Sequence, residues 1–243
     1  MNKKLISLIV VTSFTSLFSV SALSAPVANL KVSGDIKPPT CTVNGEMLSD
    51  INFNHGSISP TVIPESSEYA LDFKSQKMVI NCDASTYLTF KATNVYERDT
   101  YPSGFYLSRE STIFSLVDNK DIQKVIGGVA FNISQPKVDN VSVGFSRGND
   151  GVDTNASFGG AYRLLKGATM GWTREVINNI DPSSMDLVPG KQFSAYLIVD
   201  SAVSSGIPNS YILSKKQLAD TGVDLSEGVD FVGQAILTFN FGI

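Results

Sequence analysis

The chain holds one histidine, His55, one tryptophan, Trp172, and two cysteines, Cys41 and Cys82. A Ser-His-Asp arrangement would have to be built on His55, and no Gly-x-Ser-x-Gly elbow accompanies it, so His55 reads as a residue of a Gly- and Pro-rich loop. Cys41 and Cys82 lack Cys-x-x-Cys spacing, which disfavours a metal pair or a redox thiol. Charge is sparse as well: Asp, Glu, Lys and Arg make up 17% of residues, are scattered rather than blocked, and sum to −4. That distribution recruits neither nucleic acid nor an anionic membrane. Asn149-Asp150-Gly151-Val152-Asp153 offers a few oxygen ligands, yet lacks the acidic pattern and closing Glu of a calcium loop. No pair of carboxylates stands out for sugar hydrolysis. No cofactor, metal site or catalytic residue is expected.

Long apolar runs are absent beyond the first residues. Lys3 and Lys4, the run Leu5 to Val20 and the small residues Ala22-Leu23-Ser24 read as a signal peptide over 1–24, cleaved before Ala25. Residues 25–243 then form one exported domain. In that setting an even cysteine count predicts a Cys41–Cys82 disulfide, worth about 4 kcal/mol in the chain-entropy picture.

What is plentiful is Ser, Asn, Gly, Val and Phe in alternating patterns, and the clearest pattern closes the sequence. Phe231, Ala235, Leu237, Phe239, Phe241 and Ile243 fall on one side of an extended strand, and Gln234, Thr238 and Asn240 on the other. Ala28, Leu30, Val32, Gly34 and Ile36 likewise share one face near the start, before Pro38-Pro39 ends that strand and Cys41-Thr42-Val43 resumes ahead of an Asn44-Gly45 turn. Ile51 to Phe53 reads as a short strand. Tyr69, Leu71 and Phe73 alternate, as do Met78, Ile80 and Cys82, the latter facing inward before an Asp83-Ala84-Ser85 turn and a strand over Tyr87 to Lys91. Phe105 with Leu107, Phe114 with Leu116, Val129 with Phe131 and Ile133, and Val141 with Val143 and Phe145 repeat the theme. Residues Arg147 to Gly160 read as a long surface loop, and Thr173 to Ile180 as one or two helical turns. Phe193, Ala195, Leu197 and Val199 give the strongest internal strand, and Ser214 caps a short helix that Gly222 stops. About ten short strands with almost no helix predict an all-β sandwich. Trp172 could stack a sugar, although a lone Trp is more often core; Tyr96, Tyr101 and Tyr106 around the Pro102-Ser103-Gly104 turn could form a binding surface.

Several of these features together carry a resemblance. The leader, the alternating N-terminal segment, Gly34 seven positions before Cys41, the second cysteine in Met78-Val79-Ile80-Asn81-Cys82, Phe193-Ser194-Ala195-Tyr196 in the manner of a Phe-x-Ala motif, and the terminal alternating strand resemble a subunit of chaperone–usher fimbriae. Among these, the chain is most similar to the GltF/YhcF-like group of fimbrial-operon proteins. The resemblance implies an incomplete, pilin-type immunoglobulin-like sandwich lacking its last strand. A periplasmic chaperone would lend a strand to the open groove, an outer-membrane usher would receive the complex, and the N-terminal extension of a neighbouring subunit would replace the chaperone, giving a fimbrium at the cell surface. Carried over, Ala28, Leu30 and Val32 would be the donor face. Ala235, Leu237, Phe239, Phe241 and Ile243 would form the groove and chaperone-binding strand. The alternatives are a lectin-like adhesin or tip subunit using the loops Arg147 to Gly160 and Ser201 to Asp230 for a host glycan or protein receptor, and a periplasmic enzyme.

Overall fold

The computed structural model describes residues 28–96, 110–151, 162–204 and 206–242. The chain falls into two units, Met1–Lys37 and Pro38–Ile243. In the first, residues 28–37 carry no secondary structure and are exposed, with Leu30, Val32 and Ile36 at 97%, 101% and 104% of full accessibility. The alternating segment Ala28 to Ile36 is therefore exposed and unpaired, not a strand of a sheet.

The second unit is an all-β sandwich. In chain order its strands are β1 (Cys41–Val43), β2 (Tyr69–Ala70), β3 (Lys74–Thr86), β4 (Leu88–Asn94), β5 (Phe114–Asp118), β6 (Val125–Val129), β7 (Phe131–Val138), β8 (Val141–Ser142), β9 (Gly144–Gly148), β10 (Met170–Thr173), β11 (Asn178–Ile180), β12 (Gly190–Val199), β13 (Val203–Ser204), β14 (Ile207–Pro208), β15 (Tyr211–Ile212), β16 (Phe231–Val232) and β17 (Ala235–Phe241). Three five-stranded sheets run in the orders β1-β3-β12-β7-β8, β11-β9-β10-β4-β17 and β16-β5-β6-β15-β2.

The long strands β3 and β12 make the first sheet the shared layer. Phe193, Ala195, Leu197 and Val199 of β12 all point inward and are buried, as are Met78, Ile80 and Cys82 of β3. Trp172 of β10 meets Phe193 across the sandwich at 5.4 Å, and Phe114 of β5 meets Phe131 of β7 at 5.5 Å. The second and third sheets thus both cover the first, each through its own aromatic pair.

One helix, α1 (Lys215–Asp220), follows the expected Ser214 cap. Ser214 and Gln217 close a reciprocal capping box, and Gly222 leaves the helix at φ 75°. The Asn44-Gly45 turn also forms, with both residues at positive φ and paired backbone bonds between Val43 and Glu46.

Elsewhere the sheets override the local pattern. Residues 51–53 are not a strand, although Ile51 and Phe53 are half-buried against the core. Asp83 to Ser85 do not turn: Asp83 N donates to Thr40 O, and β3 stays extended to Thr86. Phe73 is 59% exposed while Leu71 is buried, because the chain passes from β2 in one sheet to β3 in another between them. Thr173 to Ile180 form no helix. Ser146 Oγ accepts from Ile177 N and donates toward Glu175 O, drawing that stretch alongside β9 as the parallel strand β11. Arg147 and Gly148, expected in a surface loop, end β9, and Arg147 is buried. Asn149 N donates to Ile180 O just beyond the strand, and residues 152–160 of that loop lie outside the described residues, as do Phe105 and Leu107.

The terminal pattern is two strands rather than one. β16 belongs to the third sheet and β17 to the second. The crossing is made at Gly233, where a side chain would run into Leu116 and Ser115 O.

Candidate functional site

The Cys41–Cys82 disulfide forms and explains one rim of an opening in the sandwich. The two cysteines are direct register partners of β1 and β3. After only three residues β1 turns away at Asn44-Gly45, and β1 is the last strand of its sheet. Below it, Lys74 to Met78 of β3 pair with β12 on one side, while the other side meets an irregular segment through one bond from Gln76 Nε2 to Asn52 O.

The facing rim is β17, the last strand of its own sheet. Val95 N donates to Gln234 O and Gly242 N donates to Tyr87 O. These bonds fix the even-numbered residues of β17 as the ones whose peptides bond β4. By antiparallel alternation, the peptide groups of Ala235, Leu237, Phe239 and Phe241 point toward the open edge. Nothing in Ala235–Phe241 carries a charge or a proline, the usual devices that blunt an edge.

Between the rims lies a groove of about 690 Å³. Ala235, Leu237 and Phe239 form one wall, half-buried. Met78, Leu197 and Val199 of the shared sheet and Leu116 and Val129 of the third sheet form the floor. Val43, Met47, Leu48, Ile51 and Phe53 form the opposite lip. The groove is mostly apolar, is lined from Phe231 to Phe239 and is flanked by unused backbone groups, the geometry that accepts an extended peptide.

No family model matches the chain, and no curated protein matches it.

Of the residues expected at this site, Ala235, Leu237 and Phe239 line the groove. Phe241 shares their alternation but lies past its end, 48% exposed. Ile243 lies outside the described residues. Ala28, Leu30 and Val32 are exposed, with their alternating face unpaired. The floor residues and the lip were missed, because a groove between layers is made by tertiary pairing that no single strand announces. The one legible signal was the half-apolar stretch Met47 to Phe53.

Other expected features take structural roles. Trp172 is wholly buried and donates Nε1–H to Ser194 O at 3.2 Å, so it offers no sugar platform. Asp150 accepts from Thr169 N and Oγ1 and pairs with Lys91 at 2.9 Å. Burial raises the Asp150 carboxyl, but these partners more than offset it and hold it below the usual range. Among the described residues no cluster of three or more His, Cys, Asp or Glu could hold a metal. Nor does any helix there have the length and apolarity to cross a membrane. Ser201 to Asp230 is largely folded, holding β13 to β15 and α1. Tyr96 is half-buried, while Tyr101 and Tyr106 lie outside the described residues.

A second cavity, of about 670 Å³, adjoins the same irregular segment, and His55 lines both. Its Nδ1 is buried without a hydrogen-bond partner. Burial first, and then the Lys74 ammonium, hold the imidazole below its ordinary pKa, against a smaller opposing pull from Asp72.

Proposed function

We infer that this protein is a structural subunit of a fimbria, assembled by donor-strand exchange through a periplasmic chaperone and an outer-membrane usher, and contributing to cell adhesion. The supporting observation is the groove beside β17, where an apolar floor and an unpaired, uncharged strand edge lie open together. A strand entering it gains backbone bonds from Ala235, Leu237 and Phe239 and buries its alternate side chains on Met78, Leu116 and Leu197. At about 25 cal/mol per Å² of apolar surface, three such side chains contribute several kcal/mol. Residues 28–36 have the matching alternation in their exposed Leu30, Val32 and Ile36. One subunit's extension in the next subunit's groove is a head-to-tail contact that propagates rather than closes.

The test is an unheated gel of periplasmic extract from cells that co-express the protein with its chaperone and usher, alongside a variant lacking Ala25 to Val32. Strand donation gives detergent-resistant oligomers that collapse on heating and disappear with the deletion. A single monomer band from both, formed without chaperone, would sink the reading and leave a binding protein on a self-sufficient frame.

A further inference from the structure

The lip opposite β17 is built unlike the rest of the sandwich. From Gly45 to Ser59 the chain has no regular element beyond the turn bridge at Glu46. Fixed points bracket it: the disulfide-tied β1 on one side, and on the other the short 3-10 turn Pro60–Val62, capped by Ser59 and followed by buried Ile63. Between them, Phe53 lays its ring 5.5 Å from Phe131, and Asn52 O receives the Gln76 amide. His55 sits at the far end, inside a turn closed by Gly56 N donating to Asn54 Oδ1 at 2.7 Å, with Gly56 at φ 65°.

His55 is an expensive residue to keep there. A buried ring nitrogen without a partner forfeits its hydrogen bond to water, and a half-buried ring resists a positive charge. Both costs vanish if the segment lifts and the ring meets solvent. The charged groups facing it are Lys74 at the start of β3 and Asp72 just before it. Asp50, on the same segment, lines the groove, while Lys120, Glu227 and Asp230 line the second cavity.

We propose that residues 50–58 form a pH-operated flap over this lip, held closed by the Phe53 and Asn52 contacts while His55 is neutral and released when His55 is protonated, so that acid widens the groove for an incoming strand. The consequence for assembly rests on the groove being a strand acceptor; the movement itself does not. The sign follows from linkage. The closed state binds the His55 proton less well than the open one, so lowering pH through the ordinary imidazole range of about 6.5 favours opening, and above that range closure carries no such penalty.

The experiment is hydroxyl-radical footprinting of the purified protein at about pH 7.5 and about pH 5.5. The flap predicts a several-fold rise in side-chain labelling at acid pH confined to residues 50–58, Phe53 above all, and none in His55→Gln. Lys74→Gln, which removes a charge that disfavours the closed imidazolium, weakens the acid response, and Asp72→Asn strengthens it, and neither variant disturbs the core should His55→Gln fold poorly. Unchanged labelling at both pH values, or the same acid response in His55→Gln, overturns the proposal. A synthetic peptide of residues 28–37 tests the link to assembly, with faster capture at acid pH in the parent protein and no pH effect in His55→Gln. If the flap opens but capture ignores pH, the link to assembly is wrong. If the peptide is captured at neither pH, the strand-acceptor reading fails while the footprinting result still decides the flap.

Discussion

Phe90 and Phe239 stand directly opposite each other in the β4–β17 ladder, their ring centroids 5.5 Å apart. Phe90 is wholly buried and also meets Phe145 and Trp172, so this pair ties the groove wall to the aromatic core. The two positions should separate stability from capture. Phe90→Ala removes a fully buried ring and should cost about 3–5 kcal/mol in urea unfolding. Phe239→Asp puts a charge into a half-open wall, and on the proposed strand-acceptor reading it should abolish co-purification with a chaperone; normal capture would count against β17 as the acceptor edge.

The disulfide should matter more for the groove than for the bulk of the fold. β1 is three residues long and ends its sheet, so Cys41–Cys82 fixes a rim that backbone bonds alone would hold weakly. Replacing both cysteines by Ser should lower unfolding free energy by about 4 kcal/mol. It should also increase exchange of residues 41–46 before that of β12. Equal stability of the parent with and without reductant would show the bridge to be dispensable.

Acid sensitivity should have a contribution from Asp150. Its carboxyl titrates lower in the folded chain than in the unfolded one, so the stabilisation is present at pH values above the unfolded pKa of about 3.9 and is lost as pH falls through the folded value. Asp150→Asn should therefore lower the urea midpoint at about pH 6 and flatten the fall toward pH 3. A variant as steep as the parent would place the acid response elsewhere. The effect should be modest, because Lys91 is substantially exposed and solvent screens the pair.

How much of this was readable in the sequence follows from where pairing decides the outcome. β12 and the inward half of β3 were legible because each has its full set of alternating apolar residues and sits within one sheet. The Ser214 cap was legible because its chemistry is local. The terminal pattern misled in one respect: period two shows which face is apolar but not which sheet receives it, and the chain changes sheets at Gly233 without breaking the alternation of Ala235, Leu237 and Phe239. Residues 173–180 misled for the opposite reason, since their strand is imposed by Ser146 and the β9 backbone rather than by their own pattern. His55 was legible only as a loop residue; its two cavities and its buried nitrogen come from chains that meet it in space.

The last prediction concerns a buried ion pair that no motif marks. Arg163 Nη2 donates to Asp200 Oδ2, and the two side chains retain only 5% and 11% of their accessibility. Asp200 also accepts from Ala202 N and from Asn209 Nδ2 at 2.9 and 3.0 Å, and Arg163 Nε reaches Asn132 Oδ1 on β7. The carboxylate thus ties the exit of β12 to the following turn and to the neighbouring strand. Removing one partner of such a pair is far costlier than the pair is worth, because the remaining group was desolvated on folding. Asp200→Ala should cost about 3–5 kcal/mol. Asp200→Asn, which keeps one amide oxygen as an acceptor, should cost less. Equal losses from the two would show that the charge facing Arg163, not the hydrogen bonds from Ala202 and Asn209, carries the network.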